Sequence, residues 1–221
     1  MCVIALAMHI YEGILATPQG YAVLAGGAAA AAAGTAVGLY KLDPHRIPQA
    51  AVLTAAFFVV SSVQISLGVC SEHLTLNGLL GLLLGWAAFP AVLVGLILQS
   101  AFVSLGGPTA LGLNTLVMAL PAVVCHYLFR RAIRSPRESR VFAAGFAAGA
   151  LGVILGGLLT AASLMLSGEQ YRILGLTALV GHLAIAGVEG LVTASVVALL
   201  RKVRPEMLSA ELLPPEACDG N

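Results

Sequence analysis

The sequence predicts an all-α membrane protein, a multi-spanning bundle of about seven transmembrane helices. Hydrophobic residues make up 59% of the 221 residues and charged residues only 10%, and the mean hydropathy is +0.98. A soluble domain carries roughly 25% charged residues, so this chain has too little charge to cover a surface in water. Apolar stretches of about 20 residues, the length at which a helix crosses a bilayer, recur along the chain. They are continuous rather than alternating, which disfavours strands.

Breaks at proline, glycine and charged residues divide the chain into seven predicted spans. Their ranges are 20–40, 47–67, 74–86, 88–105, 114–133, 141–167 and 173–200. The third span is short, which predicts a tilted helix, a locally thinned bilayer or a re-entrant start. We therefore expect one transmembrane domain over residues 8–204, followed by a flexible cytoplasmic tail at 205–221.

The basic residues predict the orientation of the bundle. Ten of the eleven follow the first span, connect the fifth and sixth, or follow the seventh, and these places lie on one side of a seven-span bundle. Arg172 is the exception. Because Lys and Arg concentrate in cytoplasmic loops, we expect a multi-pass protein of the cell (inner) membrane with its N-terminus outside and its C-terminus in the cytoplasm.

The pair Met8-His9 lies on the predicted external side and has metal-binding chemistry. If translation begins at Met8, its α-amine, the His9 amide nitrogen and the His9 imidazole form a chelate that suits nickel(II), copper(II) or cobalt(II). Residues 1–7 lack the length and positive charge of a secretory signal. Either the start codon has been assigned too early, or these seven residues are a short extension of the protein. The alternative interpretation of the pair is a histidine that follows a start codon by coincidence.

His73 lies at the external entrance of the third span, on the same predicted side as His9. The two histidines are therefore candidates for two arms of one metal site, although an ordinary loop histidine is the alternative. Polar residues near the spans are candidates to orient the metal ligands through hydrogen bonds, or simply to tie helices together. They are Ser71, Asn77, Gln99 and Asn114.

His182 and Glu189 form an intramembrane polar pair. Their separation of seven places them on one face of the seventh predicted span. Ionisable groups in the hydrocarbon are costly and face a cavity or a partner. The pair therefore predicts either a proton or cation relay or a polar clamp between helices, and we favour the clamp. A proton-coupled transporter centred on this pair, or a structural membrane subunit, are the alternative functions.

The sequence lacks motifs of several enzyme classes. Its two lysines, Lys41 and Lys202, belong to no Gly-Lys-Ser/Thr phosphate loop. It also contains no HExxH motif and no Gly-x-Ser-x-Gly motif. We therefore predict a protein that is not an enzyme, such as a transporter subunit without its own ATPase. We expect membrane lipid around it and no nucleic-acid partner.

Four segments together resemble the substrate-binding membrane subunits of energy-coupling-factor cobalt and nickel transporters (CbiM/NikM type). Residues 8–13 read Met-His-Ile-Tyr-Glu-Gly, which is similar to the MHI-x-(E/D)-G start of that family. The other segments are 71–81, 106–115 and 182–193. The resemblance covers most of the chain from Met8 to about residue 207. Ala184 departs from it, because the family usually has proline there.

The resemblance implies a seven-helix subunit whose N-terminal segment enters the bundle from outside. In the family, the metal is bound by nitrogens of residues that correspond to Met8, His9 and His73. The resemblance also implies that Co²⁺ or Ni²⁺ is the transported substrate, with no other cofactor. The expected partners are a transmembrane coupling subunit and two cytoplasmic ATPases. The seven residues before Met8 depart from the family, and if retained they replace the amine with an amide and weaken the site.

Overall fold

The computed structural model describes residues 10, 13–67, 70–104 and 106–209. Within them the chain forms seven main helices, a two-stranded hairpin and a short C-terminal helix. The helices are α1 (Pro18–Tyr40), α2 (Ile47–Ser62), α3 (Asn77–Leu84), α4 (Ala88–Phe102), α5 (Leu111–Phe129), α6 (Glu138–Leu166), α7 (Arg172–Val203) and α8 (Glu206–Ser209). Three 3₁₀ turns, Pro44–Arg46, Gly85–Ala87 and Glu169–Tyr171, connect some of them.

The predicted class, a multi-pass helical membrane protein, is confirmed. Five helical segments in the described residues are long and apolar enough to cross a membrane. They are Pro18–Tyr40, Asn77–Phe102, Leu111–Phe129, Glu138–Leu166 and Glu169–Val203. The direction in which the bundle crosses the bilayer, and the division into a domain and a tail, stay predictions.

The structure differs from the predicted spans between α2 and α3. The second span was expected to continue to residue 67, but α2 ends at Ser62 and the backbone becomes extended at Val63. Strands β1 (Ile65–Leu67) and β2 (Cys70–Glu72) then form an antiparallel hairpin. Residues 63–67 alternate apolar and polar side chains, a pattern typical of a strand that the high hydropathy of the segment obscured. The prediction that the second span continues to residue 67 was therefore wrong.

The third predicted span contains an unusually short helix. α3 has eight residues, so it rises only about 12 Å and does not cross a bilayer core of about 30 Å. All eight residues are buried, and α3 contacts α5, α6 and α7. Gly85 ends it with a φ of +57°, a conformation that glycine adopts without strain, and α4 follows. This short helix lies inside the bundle rather than at its surface.

Glycines allow α3 to approach its neighbours at backbone distance. A Cβ atom at Gly78 would lie 2.4 Å from the carbonyl oxygen of Ala148 in α6. A Cβ at Gly81 would lie 2.0 Å from the carbonyl oxygen of Ala122 in α5. Small residues serve this purpose in membrane bundles, where close packing drives helix association. The contacts fix the start of α3, and therefore the loop before it, against α5 and α6.

Candidate metal centre

His73 follows the hairpin and directly precedes the residues that start α3. It is fully buried, and its Nδ1 lies 3.3 Å from the Leu74 carbonyl oxygen. Burial lowers the pKa of His73 to about 4; the Leu74 contact opposes this shift, and nearby His182 adds to it. The imidazole is therefore neutral at physiological pH, which is the protonation state that binds a metal ion.

Glu189 of α7 is bonded to the loop that carries His73. Its fully buried carboxylate accepts hydrogen bonds from the Thr75 backbone N–H and, at 3.1 Å, from the Thr75 hydroxyl. The Leu76 N–H also donates to it, at 2.9 Å to Oε1 and 3.2 Å to Oε2. Glu189 thus connects the middle of α7 to the two residues immediately before α3. This is the geometry of a clamp between elements.

His182 lies about two turns before Glu189 in α7 and has different partners. Its Nδ1 lies 2.7 Å from the Ala178 carbonyl oxygen of its own helix. The side chain lines a small cavity of about 10 Å³ together with Thr75, Asn77 and Thr160, which is room for about one water. Among the described residues, Asn77 Oδ1 and Thr160 Oγ1 are buried there without a hydrogen-bond partner. His182 and Asn77 therefore belong to a polar cluster beside His73.

Asn114, in the first turn of α5, binds the N-terminal segment of the chain. Its Nδ2 donates to the Ile10 carbonyl oxygen and its Oδ1 accepts from the Ile10 N–H, both at 3.0 Å. Ile10 and Asn114 are both buried. One amide side chain thus satisfies both backbone groups of the residue that follows His9, which places this part of the N-terminal segment inside the bundle.

Two further contacts hold the N-terminal segment against the connection between α6 and α7. The Tyr171 hydroxyl donates to the Ile14 carbonyl oxygen at 2.5 Å. The Thr17 hydroxyl donates to the Ser167 carbonyl oxygen at 2.9 Å. Sequence reasoning missed Tyr171 and Ser167, because nothing in a local pattern indicates a contact with a segment about 150 residues away.

The remaining predicted site residues have varied placements. Gln99 is buried, and its Nε2 donates to the Ser61 hydroxyl at 2.7 Å, so it ties α4 to α2. Ser71 has its backbone in β2, whereas its side chain lies outside the described part. Met8 and His9 also lie outside the described residues. Among the residues that the structure describes, no three His, Cys, Asp or Glu side chains form a potential metal cluster.

Comparison with known proteins identifies the class and then the family. The model of the family described as the cobalt uptake substrate-specific transmembrane region, CbiM, matches residues 9–207. Together with the apolar helices, this match defines a multi-pass membrane component of cobalt or nickel transport. The chain belongs to the CbiM family. The resemblance predicted from the four sequence segments is confirmed.

Individual relatives agree with this assignment. The chain is 42% identical over 205 residues to a protein of Haemophilus influenzae described as a metal transport protein, covering 91% of this chain and 97% of that protein. It is 32% identical over 194 residues to the fused nickel transport protein NikMN of Rhodobacter capsulatus, covering 78% of this chain and 56% of that protein. Its fold is similar to that of a solved transition metal transporter, with a TM-score of 0.68 and 24% identity over 92% of this chain and 96% of that one.

Proposed function

We propose that this chain is the substrate-specific membrane component of an energy-coupling-factor transporter and captures Co²⁺ or Ni²⁺ at the external face for ATP-driven uptake. The observation that carries this proposal is the double hydrogen bond between Asn114 and Ile10. It holds the residue after His9 in the bundle that also buries His73. In this proposal, the N-terminal nitrogens and the His73 imidazole bind the same ion.

The ligand set that we propose is four nitrogens. They are the α-amine of Met8, the amide and imidazole of His9, and the imidazole of His73. Four nitrogen ligands suit nickel(II) and also bind cobalt(II). The low pKa of His73 supports its role, because a neutral imidazole is ready to coordinate without first losing a proton.

The energy for uptake comes from other subunits in this proposal. The sequence has no phosphate-binding Gly-Lys-Ser/Thr loop, so we assign ATP hydrolysis to cytoplasmic ATPase subunits and force transmission to a transmembrane coupling subunit. The fused relative NikMN of Rhodobacter capsulatus supports assembly with other transport components. A proton-coupled pathway through Glu189 has less support, because its carboxylate is already bonded to Thr75 and Leu76.

The proposal predicts that the mature protein begins at Met8 and binds one Ni²⁺ or Co²⁺ per chain. N-terminal mass spectrometry of the purified protein, paired with its metal content, measures both. The matched comparison is a chain that retains residues 1–7 and carries Met8→Leu to remove the internal start. It should bind metal more weakly, because an amide nitrogen replaces the amine. A mature protein that begins at Met1 and still binds metal tightly rules out the amine, and a chain that binds no metal rules out the function.

The proposal also predicts how metal affinity depends on pH. Protons compete with the metal for its nitrogen ligands, but His73, with a pKa lowered to about 4, stays neutral well below physiological pH. The competing groups are therefore the α-amine and the His9 imidazole, whose ordinary pKa values are about 7.7–8.0 and about 6.5. We expect the affinity for Ni²⁺ to fall as the pH decreases from about 8 to about 6. A nitrogen-15 NMR titration of the metal-free protein in which His73 protonates near neutral pH contradicts this account.

A further inference from the structure

We propose that Glu189 is a positioning residue for metal binding, because it holds the loop that carries His73. This inference rests on the proposed function, in which His73 is a metal ligand. Glu189 itself is not a ligand in this scheme. Its carboxylate acts on the loop through Thr75 and Leu76, two and three residues after His73.

No side chain of the loop itself caps the start of α3. The N-cap position is Leu76, and a leucine side chain has no oxygen to accept the free N–H groups at a helix start. Glu189 places its carboxylate at this end of the helix, where negative charge is favoured by the helix dipole. Its bonds are to the N–H groups of Thr75 and Leu76, which directly precede the helix, so it fixes the chain at the point where α3 begins.

The conformation of Leu76 points to the same conclusion. Its φ of +52° and ψ of +21° are left-handed, a region that leucine rarely adopts. Such a conformation persists only where surrounding contacts fix it. The Leu76 N–H lies within hydrogen-bond distance of both Glu189 oxygens, and Gly78, two residues later, is packed against the backbone of α6. The loop is therefore held from α7 and α6.

The consequence for His73 follows from the short chain between it and the clamp. Only Leu74 separates His73 from Thr75, so the backbone position of His73 depends on the bonds to Glu189. Removal of the carboxylate releases Thr75 and Leu76, and the imidazole then loses its fixed position relative to the N-terminal nitrogens. Groups that orient a metal ligand typically change metal affinity by about 10–100-fold.

The test is a double-mutant cycle between Glu189→Met and His73→Ala in the full chain. Methionine is of similar length but has no oxygen to accept from Thr75 and Leu76, whereas glutamine would keep an acceptor at Oε1. Titration with Ni²⁺ gives the affinity, and Cu²⁺, which binds nitrogen sites more tightly, serves as a spectroscopic probe. Electron paramagnetic resonance of the Cu²⁺ complex reports how many nitrogens are bound. We expect Glu189→Met to lower the Ni²⁺ affinity at least about 10-fold and to reduce the bound nitrogens from four to three. In the His73→Ala background it should have no further effect.

Two additional variants keep the test decisive. Thr193→Val changes another fully buried polar residue of α7, one turn beyond Glu189, and should leave metal affinity unchanged. Glu189→Asp keeps the carboxylate on a shorter side chain and should give an intermediate loss of affinity. It tests the positioning role if Glu189→Met does not fold.

The outcomes separate the inference from the proposed function. Wild-type affinity and four bound nitrogens in a folded Glu189→Met protein overturn the positioning role while leaving the function intact. The positioning role is also overturned if the fold-loss in Ni²⁺ affinity of the double mutant equals the product of the two single losses, because Glu189 then acts independently of His73. Wild-type affinity in His73→Ala instead overturns the proposed metal site itself.

Discussion

His73→Ala should lower the affinity for Ni²⁺ by more than about 100-fold, beyond the range of 10–100-fold typical of groups that only orient a ligand. The change removes one of the four proposed nitrogens and leaves a space in a fully buried position. Metal titration of the purified protein measures the affinity, and uptake of Ni²⁺ or Co²⁺ by cells that contain the complete transporter measures the consequence. We expect uptake to be lost at micromolar metal.

A second buried histidine provides the matched control. His126 lies at the opposite end of α3, where its Nδ1 is 3.1 Å from the Gly81 carbonyl oxygen. It is nearly as buried as His73, so His126→Ala tests the general effect of deleting an imidazole beside this helix. The Ni²⁺ affinity of the His126→Ala protein should equal that of the wild type. Full metal uptake by His73→Ala would contradict the assignment, and equal losses in both variants would indicate damage to the fold.

The helices were predictable because each leaves a local signal in the chain. Continuous apolar stretches marked the spans. The shortness of the third predicted a tilted helix, a locally thinned bilayer or a re-entrant start, and the helix found there, α3, has only eight residues. The end of α2 was missed since Ile65 and Leu67 are as apolar in a strand as in a helix. Hydropathy reports how apolar a segment is and does not distinguish a strand from a helix. The alternation of Ile65 and Leu67 with the polar residues Gln64 and Ser66 does distinguish them.

The candidate site was only partly predictable, because its supporting bonds join distant parts of the chain. The sequence identified Asn114 and Glu189 as polar residues in need of partners. It did not identify those partners, since Ile10 lies 104 residues from Asn114 and Thr75 lies 114 from Glu189. Both partners contribute backbone N–H groups, which every residue except proline has. A contact to the backbone therefore leaves no signature in the partner's sequence.

The same geometry makes Asn114 the second position at which one substitution should have a large effect. Asn114→Leu keeps a side chain branched at Cγ with four heavy atoms but leaves the N–H and the carbonyl of Ile10 buried without their partner. Each such group costs about 1–3 kcal/mol, so the N-terminal segment is expected to leave the bundle. At about 1.4 kcal/mol for each tenfold change, the loss in Ni²⁺ affinity should reach about 100-fold. Titration with Ni²⁺ and proteolysis of the N-terminal segment measure the two effects.

Gln99→Leu is the matched control, because Gln99 is also a buried amide but bonds to Ser61 and ties α4 to α2. It should lower the thermal stability and leave the Ni²⁺ affinity unchanged, whereas Asn114→Leu should change the affinity more than the stability. This contrast separates an amide that holds the metal-binding segment from one that holds two helices. If Asn114→Leu binds Ni²⁺ like the wild type, the segment held by Asn114 does not supply ligands, and the nitrogens must come from elsewhere in the bundle.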